Sequence, residues 1–335
     1  MFFNKIRRFT LAMIVTSMLS SLFVQVNASK AADYIMEAAV GYDDNYGLSS
    51  HSQGSGFAMY DFLVLTKIPL NIPYLELTGL MNGAYQDYFS ISDNFSIKGG
   101  VDSKMVFARD RLPVTFSYTG EVYRDREFTE DDLNSQQLAL TCEWSDFARF
   151  IPAFFYSIAW QNYETSFGDA HAMENPFSAG ELNMHGDGKG NGKNRKIYPG
   201  ESRNDRLWMA EGRLMYYISP FLTSEMAVSH TRCSSSQKIE SYRADGISVS
   251  LFKRTDAWEL SALASIKRFD YDWYPKDSGG AVDRRDLKIT GGVGVSYFFK
   301  KYEFFLKADI TDNHSDINEE SYLSRVLKCG ISRLF

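Results

Sequence analysis

From Tyr302 to Ile310 every second residue is apolar. Tyr302, Phe304, Leu306, Ala308 and Ile310 are apolar, and Glu303, Lys307 and Asp309 fall between them. Side chains two residues apart on a strand share a face, so this segment has one apolar and one polar side. Almost the whole chain beyond residue 28 repeats the design, and no segment reads as a helix that would cover an apolar sheet face. A sheet so built closes on itself and turns its apolar side to lipid. The expected fold class is all-β: a transmembrane antiparallel β-barrel of about 14 strands.

The expected strands run roughly over 34–43, 56–66, 74–87, 94–108, 112–123, 136–146, 151–163, 205–218, 221–233, 240–253, 256–270, 286–299, 301–312 and 321–335. The connections alternate between short and long, as periplasmic turns and external loops do in such barrels. The short ones are Lys67–Pro73, Arg109–Arg111, Asp146–Phe150, Ser219-Pro220, Arg254-Thr255 and Lys300. The longer ones are Asp44–Ser55, Tyr88–Asp93, Arg124–Ser135, Glu164–Asn204, Ser234–Ile239, Tyr271–Arg285 and Asn313–Glu320. Strands 2 and 9 alternate poorly, so a bulge or a one-residue slip of register is expected in each.

Face assignments follow from the period of two. Val114, Phe116, Tyr118 and Val122, then Phe154, Tyr156, Ile158 and Trp160, then Trp208, Ala210, Leu214 and Tyr216, then Leu287, Ile289, Val293, Val295 and Tyr297 are expected to face lipid. The lumen is expected to carry Glu76, Lys98, Asp102, Lys104, Glu121, Glu143, Glu211, Arg213, Glu259, Lys267, Lys288, Glu303, Lys307 and Asp309. At mid-membrane a lipid-facing Lys or Arg costs roughly 2–4 kcal/mol, so charge belongs inside. Both signs are present. A narrow, wet lumen crossed by ion pairs is expected, without the single-sign ring that strong ion selectivity requires.

Residues 1–28 read as an export signal and 29–335 as one barrel. Lys5, Arg7 and Arg8 precede an apolar stretch, and Val26-Asn27-Ala28 suits signal cleavage. Cleavage there removes three of the 36 basic residues and none of the 42 acidic ones, leaving 33 against 42, a balance of −9. That is not the charge of a nucleic-acid binder. Aromatic content, with 20 Tyr and 25 Phe, suits interfacial girdles. Cys142 and Cys329 fall on expected lipid faces and Cys233 at a strand end, which reads as three small hydrophobes or idle thiols rather than a disulfide framework or a metal set.

The candidate catalytic constellations are incomplete. His230-Thr231-Arg232-Cys233-Ser234 places a His near a Ser, but no orienting Asn or Asp is read at useful spacing on the next strand. Asp131-Asp132 and Asp169-Ala170-His171 offer acids and a His for a barrel protease, and as adjacent loop acids they read as solvated. His185-Gly186-Asp187-Gly188 resembles a piece of a calcium loop without further ligands or the closing Glu. The polar, Gly-rich loop at about 164–204 reads as a recognition loop, a lid or a tolerated insertion. Asp125, Glu127, Glu130, Asp131 and Asp132 form an acidic external loop. No catalytic residue, metal or cofactor is expected.

Asp283-Arg284-Arg285-Asp286, Asn313-His314-Ser315-Asp316, Tyr322, Arg325 and the final Phe335, with Gly41-Tyr42-Asp43-Asp44-Asn45 near the start, resemble the barrel domain of the surface lipoprotein assembly modifier family. Asn313-His314-Ser315-Asp316 stands where that family has Asn-x-Ser-Asn. Family members commonly carry a helical repeat domain ahead of the barrel, whereas here the first expected strand starts at residue 34. The resemblance implies a 14-stranded barrel that helps move lipoproteins or other secreted proteins to the cell surface. The expected function is a non-enzymatic pore or export factor in the bacterial outer membrane; the alternative is a structural or adhesive barrel acting through its loops. Expected partners are outer-membrane lipid and lipopolysaccharide, the barrel assembly machinery reading the terminal Phe335, and a secreted lipoprotein or other surface protein.

Overall fold

In this computed structural model, residues 32–45, 54–70, 72, 74–89, 93–107, 111–125, 132–145, 149–163, 203–237, 240–275 and 281–335 are described. The alternating segments become β1 (Ala32–Asp43), β2 (Ser55–Ile68), β3 (Leu75–Tyr88), β4 (Asp93–Phe107), β5 (Leu112–Asp125), β6 (Leu133–Glu143), β7 (Phe150–Tyr163), β8 (Arg203–Ser219), β9 (Leu222–Ser235), β10 (Tyr242–Arg254), β11 (Trp258–Pro275), β12 (Ala281–Phe299), β13 (Tyr302–Ser315) and β14 (Tyr322–Leu334). Each strand pairs antiparallel with the next, and β14 returns to β1 to close the ring. The fold is therefore a closed 14-stranded antiparallel barrel, as the alternation requires. Closure leaves no strand edge unpaired.

The connections sort by end. The strand ends joined through 69–74, 108–111, 144–149, 220–221, 255–257 and 300–301 stand at the end that carries Ala32 and Leu334; the strand ends joined through 44–54, 89–92, 126–132, 164–202, 236–241, 276–280 and 316–321 stand at the other. We call these the short-turn end and the long-loop end. Lys300, at φ 56°, takes the left-handed conformation that a two-residue hairpin turn demands. Phe299 and Tyr302 can then continue the ladder as directly paired residues.

The two faces separate by chemistry. Outward residues include Val40, Met81, Phe116, Leu138, Val228, Ile247, Val293 and Leu327, all large, apolar and exposed. On β12 this face runs from Leu287 to Tyr297, about 34 Å along the strand; at a tilt near 40° it rises about 26 Å, close to the apolar band of a membrane barrel. Aromatic pairs mark its lower border, with Phe150 on Tyr216 at 4.8 Å and Trp258 on Tyr297 at 4.7 Å between ring centres. Arg333 lies between the rings of Tyr302 and Phe335 at that border, and the Phe335 amide donates to the Tyr34 carbonyl at 2.9 Å.

The seam between first and last strands is packed from inside. A Cβ on Gly41 would stand 2.4 Å from the Phe57 ring, and one on Gly330 would stand 2.4 Å from the Ala38 carbonyl oxygen and 2.6 Å from the Phe305 ring. Only glycine lets these rings lie flat against the wall. Phe57, Phe305, Met59, Tyr88 and Ala39 form one buried cluster over the seam.

Two expectations need correction. The segment over 271–285 is not all loop: β11 continues to Pro275 and β12 starts at Ala281, with a register shift between Tyr271 and Tyr274. Beyond the apolar band both faces of a strand can be polar, so hydrophobic alternation stops before the strand does. Second, β2 pairs without a break on both sides, and the irregularity near β9 sits at its turn with β8, between Tyr217 and Ser219. The weak alternation of β2 arises because Phe57, Met59, Leu63 and Leu65 face inward, where Phe57 and Met59 serve the seam cluster. Cys233, near the end of β9, packs as a small hydrophobe, buried with Tyr242, Phe269, Tyr271, Leu207, Ala244 and Ala159 in a second cluster. The described thiols are all free.

Candidate functional site

The inner wall collects charge in facing rows. Glu121 stands directly opposite Lys98, Glu76 opposite Lys104, and Asp102 opposite Ser117. Glu143 faces Ala153. On β8, Arg213 Nη2 lies 2.6 Å from Glu211 Oε1, and its Nε lies 3.5 Å from Glu225 across the strand gap. Lys288 and Lys267 are direct partners on β12 and β11, and Lys307 and Lys328 on β13 and β14. Ser296 Oγ donates to Glu303 Oε1 at 2.7 Å, and Asp309 faces Gly292. Arg254 reaches Glu259 at 3.7 Å. These residues are spread round the ring and along its height; no single-sign ring forms among them.

The tightest assembly lies at the long-loop end and was not among the residues singled out above for the lumen. Arg284, only 3% exposed, forks onto Asp286 through Nε and Nη2, and its Nη2 lies 3.3 Å from Glu320. Its guanidinium stacks over Tyr271 at 4.4 Å. Across the lumen wall Arg203 holds Asp205 at 2.9 Å and Glu240 at 3.8 Å and stacks on Tyr163 at 3.8 Å. Asp286 also accepts from Ser315 Oγ, and Asn313 Nδ2 donates to the Glu320 carbonyl at 2.8 Å. Burial drives the Glu240 carboxyl above the usual carboxylate range, with Arg203 pulling the other way.

Two features of this assembly recur. Charges of opposite sign two residues apart share one face of a strand, and the wall uses that spacing in Arg203/Asp205, Glu211/Arg213 and Arg284/Asp286. That spacing was visible in the sequence. Second, several buried polar atoms here have no hydrogen-bond partner among the described residues: Gln161 Nε2, Asp205 Oδ1, Thr231 Oγ1, Glu240 Oε1 and the Tyr242 hydroxyl. All belong to β7–β10 or the connection between β9 and β10.

Apart from Phe335, which lies at the opposite end, the segments that carry the family resemblance converge on the same rim. Asp286 meets Ser315; Arg325 N donates to Asp44 Oδ1 at 2.6 Å, and the Arg325 guanidinium lies 3.3 Å from the same carboxylate. Asn45 Nδ2 donates to the Leu323 carbonyl, and Ser324 Oγ donates to Asp43. Antiparallel pairing thus brings residues about 280 positions apart into one hydrogen-bonded patch at the seam.

The expectation that no orienting acid stands near His230 is overturned by the register. An Asp does stand at useful spacing on the next strand: Asp245 of β10 is directly opposite His230, with Nδ1 2.7 Å from Oδ1. The register converts fifteen residues of separation into contact. The pair is on the outer wall and well exposed. Its same-face neighbours are Val228 and Arg232 along β9 and Ala210 across to β8, so no hydroxyl flanks the imidazole there. Ser234 lies four residues along, beyond Arg232, opposite Arg206. Of the acidic loop, Asp132 bonds the Asp125 amide and lies 3.7 Å from Arg124. Residues 1–28, Asp131, Asp169–His171, His185–Gly188 and the loop from Glu164 up to residue 202 lie outside the described residues.

No protein-family model matches the chain, and no curated protein matches it. Among solved structures it is similar to in-vitro folded OmpT, an outer membrane protein of Vibrio cholerae, at 10% identity and a TM-score of 0.48, over 93% of this chain and 100% of that one. It is also similar to a bacterial polysaccharide outer membrane secretin, at 8% identity and a TM-score of 0.48, over 92% and 100%. A mutant of the Rh. blastica porin follows at 8% identity and a TM-score of 0.42, over 91% and 99%.

Proposed function

We propose that this chain is a non-enzymatic barrel of the bacterial outer membrane that passes a polar substrate through a lumen gated near its long-loop end. The observation that carries the reading is the change of character along the inner wall. The wall is lined by open charged side chains at the short-turn end, and by buried, cross-linked ion pairs and rings at the other. The exposed apolar outer band supports the membrane placement. A charge network of this kind resists passage until its pairs are exchanged for water or for a polar substrate.

The test is conductance in planar bilayers. The purified chain is expected to give small, discrete steps, and Arg284→Ala is expected to enlarge them. A barrel that inserts but stays silent in both forms would defeat the pore reading. A finer proposal is that the cargo is a surface lipoprotein or another secreted protein. Support comes from the convergence of the Gly41–Asn45, Asp283–Asp286 and Asn313–Asp316 segments with Arg325 at one rim, where an emerging polypeptide would meet them. Deleting the gene should then strand a surface protein in the periplasm; unchanged surface display would remove this cargo class.

A further inference from the structure

The outer wall at the long-loop end carries a cluster that neither the gate nor the apolar band uses. Arg206 of β8, Arg232 of β9 and Arg243 of β10 all face outward and are exposed. Arg232 is directly opposite Arg243 on one side and opposite Trp208 on the other. The Arg206 and Arg232 guanidinium groups both lie 6.0 Å from the Trp208 ring centre. None of the three arginines is paired with a carboxylate among the described residues. The nearest candidates are engaged elsewhere: Asp245 holds His230, and Asp270, opposite Arg243, holds Arg268 at 3.0 Å and Arg285 at 3.5 Å.

Like charges directly opposite one another on paired strands repel, so this arrangement is unfavourable unless an anion lies between them. Guanidinium groups suit phosphate, because their fork of N–H donors matches its oxygens. The height of the cluster points to the source of such an anion. Val228 and Ile247, each 58% exposed, belong to the apolar band. Arg232 lies four residues beyond Val228, about 13 Å along the strand and about 10 Å along the barrel axis after tilt. That is the depth of a headgroup layer above the hydrocarbon core, and Trp208 occupies the interfacial level that tryptophan favours.

We propose that Arg206, Arg232 and Arg243, with Trp208 as their platform, form an outward-facing site for the phosphate of a membrane lipid headgroup. The inference rests on the reading that the outer wall meets lipid. It goes beyond that reading by assigning one strand triplet, β8–β10, as the place where an anionic lipid is held rather than merely adjacent. The arginine fork selects phosphate, and the apolar wall below, Val228, Ile247, Met226 and Val249, receives the acyl chains.

The full chain is folded into phosphatidylcholine nanodiscs doped with lipid A, an acylated disaccharide carrying two phosphates, or with its dephosphorylated form. Lipid retained after gentle extraction is measured by native mass spectrometry. Retention of the phosphorylated form is expected to exceed the other by about tenfold or more. Arg206→Gln/Arg232→Gln/Arg243→Gln is expected to abolish that preference, the single Arg243→Gln to reduce it, and Lys253→Gln, at the opposite end of β10, to leave it unchanged. Heat-sensitive migration in gels confirms that each variant is folded. Equal retention by the wild type and the folded triple variant would overturn the site. Displacement of the lipid by millimolar inorganic phosphate would overturn the lipid as the ligand and leave a free-phosphate site. Failure of the wild type to enter bilayers at all would instead defeat the membrane reading beneath both.

Discussion

The two ends of the inner wall are built from the same residue types and behave differently. At the short-turn end Arg254 is 69% exposed by side chain and meets Glu259 at 3.7 Å, an ion pair held in solvent. At the long-loop end Arg284 meets Asp286 and Glu320 with each of the three side chains at most 4% exposed. The first pair is worth little because water screens it and its side chains lose freedom in forming it. The second cannot lose a member without leaving a desolvated charge behind. The same chemistry therefore gives solvent-held charges at one end and a cross-braced, buried network at the other.

The comparison is broken most strongly at Arg284. Arg284→Ala is expected to cost about 3–5 kcal/mol, by leaving Asp286 and Glu320 buried without their partner, and to lower the temperature at which the barrel loses its compact gel migration. Gly330→Val is expected next, at about 1–3 kcal/mol or more, because the new side chain meets the Ala38 carbonyl and the Phe305 ring; refolding yield reads it. Arg254→Ala should cost about 0–1 kcal/mol and leave conductance unchanged, which sharpens the contrast with Arg284. A loss at Arg254 as large as that at Arg284 would erase the distinction between the ends.

A pH dependence follows from Glu240. Burial raises its folded pKa, so between the ordinary carboxylate range and that raised value the folded chain holds a proton that the unfolded chain has released. Stability then falls as pH rises through that window and recovers as pH drops. Glu240→Gln should flatten this slope in melts recorded across mildly acidic pH. The smallest expected effect is Lys300→Gly, which relieves the left-handed turn residue and should stabilise by about 1 kcal/mol at most.

Most of the barrel was legible because the period of two is enforced by lipid outside and water inside. The strand number and the outward sets on β5, β7, β8 and β12 follow from that one pressure. It weakens where the pressure changes. Above the apolar band Tyr271, Asp272 and Arg284 still lie on strands, yet nothing in their hydrophobicity says so. On β2 inward phenylalanine and methionine blurred the pattern, because the glycine-lined seam needs rings to fill it. The buried charge network was partly visible as opposite charges two residues apart. Its union of β8, β11 and β12 with Glu240 and Glu320 depends on register across the ring, as does the meeting of His230 with Asp245, and register is a property of pairs rather than of segments.

Ring closure decides how the molecule responds to damage. β1 and β14 are paired from Ile35 with Leu334 to Asp43 with Val326. A protease cutting one exposed hairpin would leave every strand still flanked on both sides, so the nicked cylinder should survive as a two-piece assembly. Losing the carboxy-terminal strand is another matter. It would bare the backbones of β1 and β13 together, strip the cover from Phe305, and turn a sealed wall into an open sheet seeking another chain.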